Sequence, residues 1–251
     1  MADYKTIHGV NLRDYTTDPD TLIEGQVWYD KTNKVVQYFF NSVTTAGAWR
    51  TGNSMNEART QLSGAGTQTQ AIAIAGYNDS NSNTAKTESY DGVSWTEVND
   101  VNTARRDGAA NGTYTSALTY GGNNEATETE SWNGTSWTEV NDLNTGRRSV
   151  GGAGADNTSA LAFAGDPTTA NTETWNGSSW TEVNNLNQAR SRVGGFGTNT
   201  SALAFGDYNP STGHVAKTES WNGTSWTEVG DLNTGRGYSG SDGPDNTSGL
   251  A

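Results

Sequence analysis

One eleven-residue phrase, with two aromatic residues around an Asn-Gly or Asp-Gly step, occurs four times in this chain of 251 residues. Its second aromatic residue is always Trp, and successive copies are 42, 43 and 46 residues apart, at Trp95, Trp137, Trp180 and Trp226. A fixed period of this length is typical of a stack or ring of identical supersecondary units. The repeat therefore constrains the fold more strongly than any other feature of the sequence.

Each copy of the phrase predicts a β-hairpin. In the second copy the Asn133-Gly134 step lies between β-forming residues, and such a step favours a two-residue turn because both residue types tolerate positive φ. That turn would place Trp132 opposite Thr135 and would make Trp137 the diagonal neighbour of Trp132 on the same face. We therefore expect a layer of paired aromatic rings in every repeat.

Two further strands are predicted before each hairpin. In one of them large residues such as Leu161 and Phe163 alternate with alanine, and a face that is small rather than charged indicates a strand buried on both sides. A glycine-rich stretch precedes it, and glycine permits close backbone approach. Each repeat thus predicts four strands. An arginine leads each glycine-rich stretch; the five are Arg59, Arg105, Arg147, Arg190 and Arg236.

Repeated glutamates accompany these arginines. They stand two residues before the first aromatic residue of each hairpin, at Glu88, Glu130, Glu173 and Glu219. A guanidinium beneath an aromatic layer needs carboxylate or carbonyl partners, because an unpaired buried charge is costly. We predict that the arginines and glutamates form ion pairs, either within a repeat or between neighbouring repeats.

The arrangement resembles the kelch family of β-propellers over roughly residues 55–251. The resemblance rests on the Asn-x-Ala-Arg or Asn-Thr-Gly-Arg lead, the small-aliphatic strand ending in glycine, and the hairpin with an aromatic residue followed by Trp. Two features depart from the family: only Gly121-Gly122 preserves the paired glycines, and the step from Trp132 to Trp137 is short. The resemblance implies an all-β, kelch-like β-propeller. It assigns no activity, because kelch repeats serve both enzymes and binding proteins.

The number of blades can be predicted because the repeated arginine occurs five times, whereas the complete hairpin phrase occurs four times. Residues 237–251 begin a fifth repeat without its hairpin, and residues 35–50 predict a hairpin in which Trp49 is in register with Trp95. We therefore expect five four-stranded blades, with the N-terminal strands closing the last one and removing its open edge. An open or domain-swapped array is the alternative. The predicted domains are an extended arm at 1–25 and the propeller at 26–251.

Composition excludes several classes of partner. The formal net charge is -13 and the isoelectric point about 4.4, which disfavours binding to nucleic acid or to an anionic membrane surface. No apolar run approaches the roughly 18 residues of a membrane span, and the first residues lack the apolar core of a secretory signal. The absence of cysteine excludes disulfides and thiolate metal sites. We expect neither a nucleic-acid partner nor membrane insertion.

Catalytic signals are weak. His8 and His214 are the only histidines, and the sequence contains no Ser-His-Asp set, His-x-His pair or phosphate-binding loop. Paired glutamates such as Glu130 and Glu139 are of the type that glycosidases use, but they repeat in every unit, whereas a catalytic pair is needed once. The run from Asp79 lacks the glycine and the final glutamate of a calcium loop. We expect no enzyme activity, no catalytic residues, no metal and no cofactor.

Binding is the stronger prediction. The connections between the second and third strands are longest in the first and fourth repeats, at 77–86 and 207–217, and loops on a rigid scaffold commonly carry binding sites. Aromatic rings with Asn and Asp suit saccharides, through stacking and hydrogen bonds to hydroxyls. Ordinary polar loops are the alternative. The candidate binding residues are Tyr77, Asn78, Asp79, Asn81, Asn83, Tyr208, Asn209 and His214.

Two resemblances concern the setting of the protein. The segment 25–30 is similar to a short β-motif of phage tail and fibre proteins, and the Trp-Asn-Gly-Thr-Ser-Trp repeats are similar to those of kelch-like virion proteins of marine bacteriophages. They imply a non-enzymatic virion structural protein, as a tail-fibre, tail-tip or capsid-surface module of the extracellular particle. Its partners would be other virion proteins, through the arm at 1–25, and host cell-surface glycans. The alternative is a cellular kelch-type interaction or lectin module.

Overall fold

The fold is all-β, as the sequence predicts. The computed structural model describes residues 4–7, 10–15, 27–38, 52–209 and 213–250, and these ranges contain 23 strands and no helix. None of the described residues therefore belongs to a helix that could cross a membrane. The chain divides into two compact units, Met1–Thr51 and Gly52–Ala251.

The first unit contains one four-stranded sheet in the order β1-β2-β3-β4. Strands β2 and β3 run parallel, and the other neighbours are antiparallel. Two of these strands lie within the segment predicted as an extended arm, whereas His8 and the hairpin partner that contains Trp49 lie outside the described residues. The strands are β1 (Tyr4–Ile7), β2 (Val10–Tyr15), β3 (Val27–Asp30) and β4 (Val35–Tyr38).

The second unit carries the repeats, each as one antiparallel sheet. The first repeat contains β5 (Arg59–Thr60), β6 (Ser63–Thr67), β7 (Gln70–Asn78), β8 (Asn83–Tyr90) and β9 (Trp95–Val98). The second contains β10 (Ala109–Thr113), β11 (Ser116–Tyr120), β12 (Thr129–Trp132) and β13 (Trp137–Val140), and the third β14 (Gly151–Asp156), β15 (Ser159–Phe163), β16 (Thr172–Trp175) and β17 (Trp180–Val183). The fourth contains β18 (Gly194–Gly197), β19 (Ala202–Asn209), β20 (Gly213–Trp221) and β21 (Trp226–Glu228), and the fifth β22 (Asp242–Asp245) and β23 (Ser248–Leu250).

The register of the Trp hairpins differs from the prediction. Trp132 lies directly opposite Trp137, with ring centroids 5.2 Å apart, so that the loop has four residues rather than two. The side-chain oxygen of Asn133 accepts the backbone N–H groups of Thr135 and Ser136, each at 2.9 Å, and among the loop residues only the glycine takes a positive φ, of 90°. The asparagine therefore closes the turn with its side chain and does not need the left-handed conformation of a two-residue turn.

The glycine-rich strands of successive repeats lie side by side, from β6 through β10, β14 and β18 to β22. Glycine is required for this approach. A Cβ atom on Gly195 would lie 2.4 Å from the Phe163 ring of the preceding repeat, and one on Gly152 would lie 2.3 Å from the Tyr120 hydroxyl. All five strands line one cavity of about 440 Å³. The sheets thus have a propeller-like arrangement, with the glycine-rich strands innermost.

The core lies between neighbouring sheets. Trp180 packs edge-on against Tyr120 of the preceding repeat, with ring centroids 4.8 Å apart, and its indole N–H donates to Thr129 Oγ1 at 3.0 Å. Trp226 repeats this contact with Phe163 at 5.0 Å. The prediction of a second strand buried on both sides is confirmed, because all four residues 117–120 have 0% exposed surface.

The predicted ion pairs are confirmed and lie within each repeat. The N···O distances are 3.2 Å for Arg59–Glu88, 2.6 Å for Arg105–Glu130, 2.8 Å for Arg147–Glu173 and 2.9 Å for Arg190–Glu219. Burial lowers the pKa of Arg147, and the adjacent Glu173 carboxylate opposes that shift. Arg236, the fifth member of the series, is exposed and has no carboxylate partner in the described part of the chain.

Candidate binding site

The segments predicted as binding loops are mostly strand. Strand β7 continues to Asn78 and β8 begins at Asn83, so the first connection is a short turn, and β19 and β20 extend in the same way to 209 and from 213. The prediction of long loops at 77–86 and 207–217 is therefore wrong. Cross-strand pairing causes the difference, because Tyr77 lies opposite Asn83 and Tyr208 opposite His214.

The candidate residues of the first repeat have different environments. Tyr77 lies beneath the Arg106 guanidinium, 4.2 Å from its ring centroid. Asn78 is structural, since its side-chain oxygen accepts the backbone N–H groups of Ser80 and Ser82 and closes the turn. Asp79 and Asn81 are exposed at that turn, while the buried side-chain oxygen of Asn83 has no partner within the described residues.

The candidate residues of the fourth repeat form a second group. The rings of Tyr208 and the exposed His214 are 5.4 Å apart, and the Arg192 guanidinium lies 4.4 Å from the Tyr208 ring centroid. The side chain of Asn209 lies outside the described part of the structure. No hydrogen bond or ring contact between described residues joins this group to Tyr77 and its neighbours.

A set of residues that the sequence analysis missed lies two positions after each repeated arginine. All five have positive φ, between 50° and 58°, although none is glycine. That conformation costs roughly 1–2 kcal/mol for a residue with a Cβ atom, so glycine would be the usual choice. We call these residues the mouth positions: Gln61, Asp107, Ser149, Arg192 and Tyr238.

Backbone hydrogen bonds connect the mouth positions. The N–H group of Asp107 donates to the carbonyl of Gln61 at 3.0 Å, and Ser149 donates to Asp107 at 2.7 Å. Arg192 donates to Ser149 at 3.1 Å, and Tyr238 donates to Arg192 at 3.0 Å. A continuous series of backbone hydrogen bonds therefore joins the five positions, each of which carries a different side chain.

The mouth positions and the residues that follow them line a cavity of about 620 Å³. All five repeats contribute to its wall. Strand β5 pairs antiparallel with the end of β7, with Arg59 opposite Asn78 and Thr60 opposite Tyr77. The hairpin tips that carry the candidate residues therefore lie at the same end of the sheets as the mouth positions.

Asp107 is the acidic residue among the mouth positions. The side-chain amide of Gln61 donates to both of its carboxylate oxygens, at 2.9 and 3.0 Å. Burial raises the pKa of Asp107, and the Gln61 hydrogen bond and the charges of Arg106, Arg148 and Arg192 partly oppose that rise. Asp107 therefore lies within a group of three arginines.

Arg192 is the basic residue among the mouth positions. Its guanidinium lies 4.4 Å from the ring centroid of Tyr208 and 5.0 Å from that of Tyr238, and its buried Nε atom has no hydrogen-bond partner among the described residues. The Nε atom of Arg106 is likewise buried without such a bond, although it approaches Asp107 Oδ2 at 3.9 Å. Arg148 differs from both, because it pairs with Asp166 at 2.7 Å.

This arrangement is suited to binding. A concave opening presents an amide, a carboxylate, a hydroxyl, a guanidinium and a phenol, which is the mixture of polar and aromatic groups found in ligand sites. No group of three or more His, Asp or Glu side chains that could hold a metal ion occurs in the described part of the chain. One sequence signal could have identified the mouth positions: two residues after an arginine that is the same in every repeat, the residue type differs in every repeat.

Comparison with known proteins adds no family assignment: no protein-family model matches the chain, and no curated protein matches it.

Proposed function

We propose that this protein is a non-enzymatic binding module whose ligand face is the one formed by the mouth positions. The supporting observation is that one strained backbone position, repeated five times, carries five different side chains around a cavity of about 620 Å³. Residues held in rare conformations concentrate at functional sites because their strain has to be offset by the surrounding structure. Framework positions such as the paired arginines and glutamates are, in contrast, nearly identical between repeats.

The proposed ligand class is saccharide. Tyr238 is 61% exposed and offers an aromatic ring at the cavity, and the Tyr208 ring also lies against the Arg192 guanidinium. Gln61 and Ser149 add the amide and hydroxyl groups that bind sugar hydroxyls. An aromatic surface with a few convergent polar groups suits a ring that has one apolar face and several hydroxyls.

The proposed setting is a bacteriophage virion, and its support is the sequence resemblance of the repeats and of segment 25–30. The module would belong to a tail fibre, a tail tip or the capsid surface, would attach to other virion proteins through the arm at 1–25, and would face host glycans. A cellular interaction or lectin module is the alternative. If protein that lacks the arm were still incorporated into particles at full occupancy, the attachment proposal would fail and the alternative would gain.

We also propose that the repeats close into a five-bladed, kelch-like ring. In support, the innermost strands of all five repeats line a common cavity, while the fifth repeat has only β22 and β23 among the described residues. Residues 35–50 would supply its outer strands, with β4 pairing through the edge that does not face β3 and with Trp49 in register with the Trp residues of the repeats. Closure would remove the open edges of the array.

Binding of saccharides is tested with a glycan array and two Tyr→Ala variants. We expect the wild-type protein to bind a subset of glycans, and the double variant Tyr77→Ala/Tyr208→Ala to lose that binding, because both rings support the arginines of the ligand face. Tyr114→Ala is the matched control, since Tyr114 follows β10 at the opposite end of the sheet. Undiminished binding by the double variant would remove this face from consideration.

A further inference from the structure

The protein contains two classes of arginine. Four buried arginines pair with a glutamate of their own repeat; the Nη groups of Arg147, for example, donate to Glu173 Oε1 at 2.8 Å and to the carbonyl of Asn171 at 2.6 Å, although its Nε atom makes no hydrogen bond within the described residues. Arg192 makes no side-chain hydrogen bond and no ion pair within the described residues. Arg236 also lacks a carboxylate partner among the described residues but is exposed, whereas Arg192 is half-buried and lines the cavity, where an unpaired guanidinium calls for an explanation.

The surroundings of Arg192 provide two aromatic rings and the charge of Asp107, but no carboxylate at ion-pair distance within the described residues. The guanidinium lies within 5.0 Å of the Tyr208 and Tyr238 ring centroids, its Nε atom is buried, and its two Nη groups make no hydrogen bond within the described residues. The mouth carboxylate of Asp107 is already engaged by Gln61, and Arg148 is engaged by Asp166. Among the described residues, none therefore accepts a hydrogen bond from the Nη groups of Arg192.

A planar anion satisfies such a group best. A carboxylate accepts two parallel hydrogen bonds from a guanidinium, and charge-assisted bonds of this kind are about twice as strong as neutral ones. Arg106, which precedes the mouth position Asp107, adds a second cation that has only a long approach to Asp107, at 3.9 Å. Tyr238, which is 61% exposed, provides an aromatic surface beside the same guanidinium.

We propose that the cavity lined by the mouth positions binds an acidic saccharide. The carboxylate of the saccharide accepts hydrogen bonds from the Arg192 guanidinium, and its sugar ring packs against Tyr238. This assignment rests on the proposed function as a saccharide-binding module and specifies the ligand class. The negative charge of the rest of the chain would limit unspecific binding of anions, so that recognition requires the mouth geometry.

The test uses the full chain on an array that carries uronate, sialate and sulfated saccharides beside their neutral counterparts. We expect carboxylated saccharides to bind best, and their binding to weaken as salt rises. For the best ligand, titration calorimetry should show at least a tenfold loss of affinity in Arg192→Gln, the scale of one lost charged hydrogen bond. Lys86→Gln is the charge-matched control, because Lys86 pairs with Glu97 on the outer strands, and we expect its affinity to be unchanged.

The possible outcomes are distinguishable. Equal binding of neutral and acidic forms, or full affinity in a folded Arg192→Gln protein, would overturn the carboxylate assignment and leave saccharide binding intact. Binding of sulfated but not carboxylated forms would also overturn it. No saccharide binding by the wild type would overturn the saccharide ligand class on which this assignment rests, and binding of a glutamate-rich peptide in that case would show that the protein is a binding module for a different acidic ligand. Arg192→Lys retains the positive charge but lacks the planar guanidinium that can donate two parallel hydrogen bonds. If Arg192→Gln does not fold, an affinity of Arg192→Lys between those of the wild type and of no binding would support the proposal.

Discussion

Replacement of Arg147 by alanine is expected to lower the free energy of unfolding by about 3 kcal/mol, because it leaves the Glu173 carboxylate buried without its cation. Glu173 is 1% exposed, and Arg147 is fully buried. The same change also removes the hydrogen bonds that the guanidinium donates to two backbone carbonyls. Equilibrium unfolding in urea, followed by tryptophan fluorescence, measures the change.

Arg236→Ala is the matched control for this experiment. Arg236 occupies the equivalent position in the fifth repeat but is exposed, so we expect a change within about 0.5 kcal/mol, as for an ordinary surface substitution. A second control replaces the pair itself: Arg147→Met with Glu173→Leu removes both charges and is expected to cost far less than Arg147→Ala alone. If Arg147→Ala were as mild as Arg236→Ala, the buried ion pair would have no part in stability.

The second large effect is expected for Trp180→Ala, which should cost about 3–5 kcal/mol as a large-to-small change in a core. Trp180 is 5% exposed, packs on Tyr120 and donates to Thr129 Oγ1 at 3.0 Å. Its removal would leave a cavity between two sheets and a threonine hydroxyl without its donor. The loss should appear as a lower midpoint in thermal and chemical unfolding.

Trp95→Ala provides the comparison that also tests ring closure. Trp95 is half-buried, and its only ring contact in the described part of the chain is with Tyr90 of its own hairpin, at 5.0 Å. A closed ring would cover Trp95 with the fifth blade, and its replacement would then cost as much as that of Trp180. A loss of about 1 kcal/mol, near the average for point substitutions, would instead indicate an open array.

The local structure of the repeats could be predicted from the sequence because each signal acts over a short distance. The alternation around Leu161 and Phe163 predicts a strand that the structure buries on both sides. The recurrence of arginine with glutamate predicts ion pairs, since a charge under an aromatic layer must be satisfied locally. Net charge and the absence of cysteine likewise yield expectations about partners and sites without any coordinates.

The proposed ligand face could not be predicted in the same way. Sequence separation made 77–86 appear as a loop, whereas cross-strand hydrogen bonds extend β7 and β8 through most of it. The Asn-Gly step predicts a two-residue turn, but the side chain of Asn133 closes a four-residue one. In both cases pairing between strands and side-chain hydrogen bonds override a local preference.

The amino-acid sequence by itself determined the repeat unit, its strands and its buried ion pairs, because these depend on residues within one period of about 45 positions. Only the tertiary structure decided which variable residues line one cavity. Gln61, Asp107, Ser149, Arg192 and Tyr238 come from five repeats, and they meet because glycine-rich strands pack side by side and hydrogen bonds join equivalent backbone positions. That convergence is a property of packing between sheets, and no local pattern within one repeat contains it.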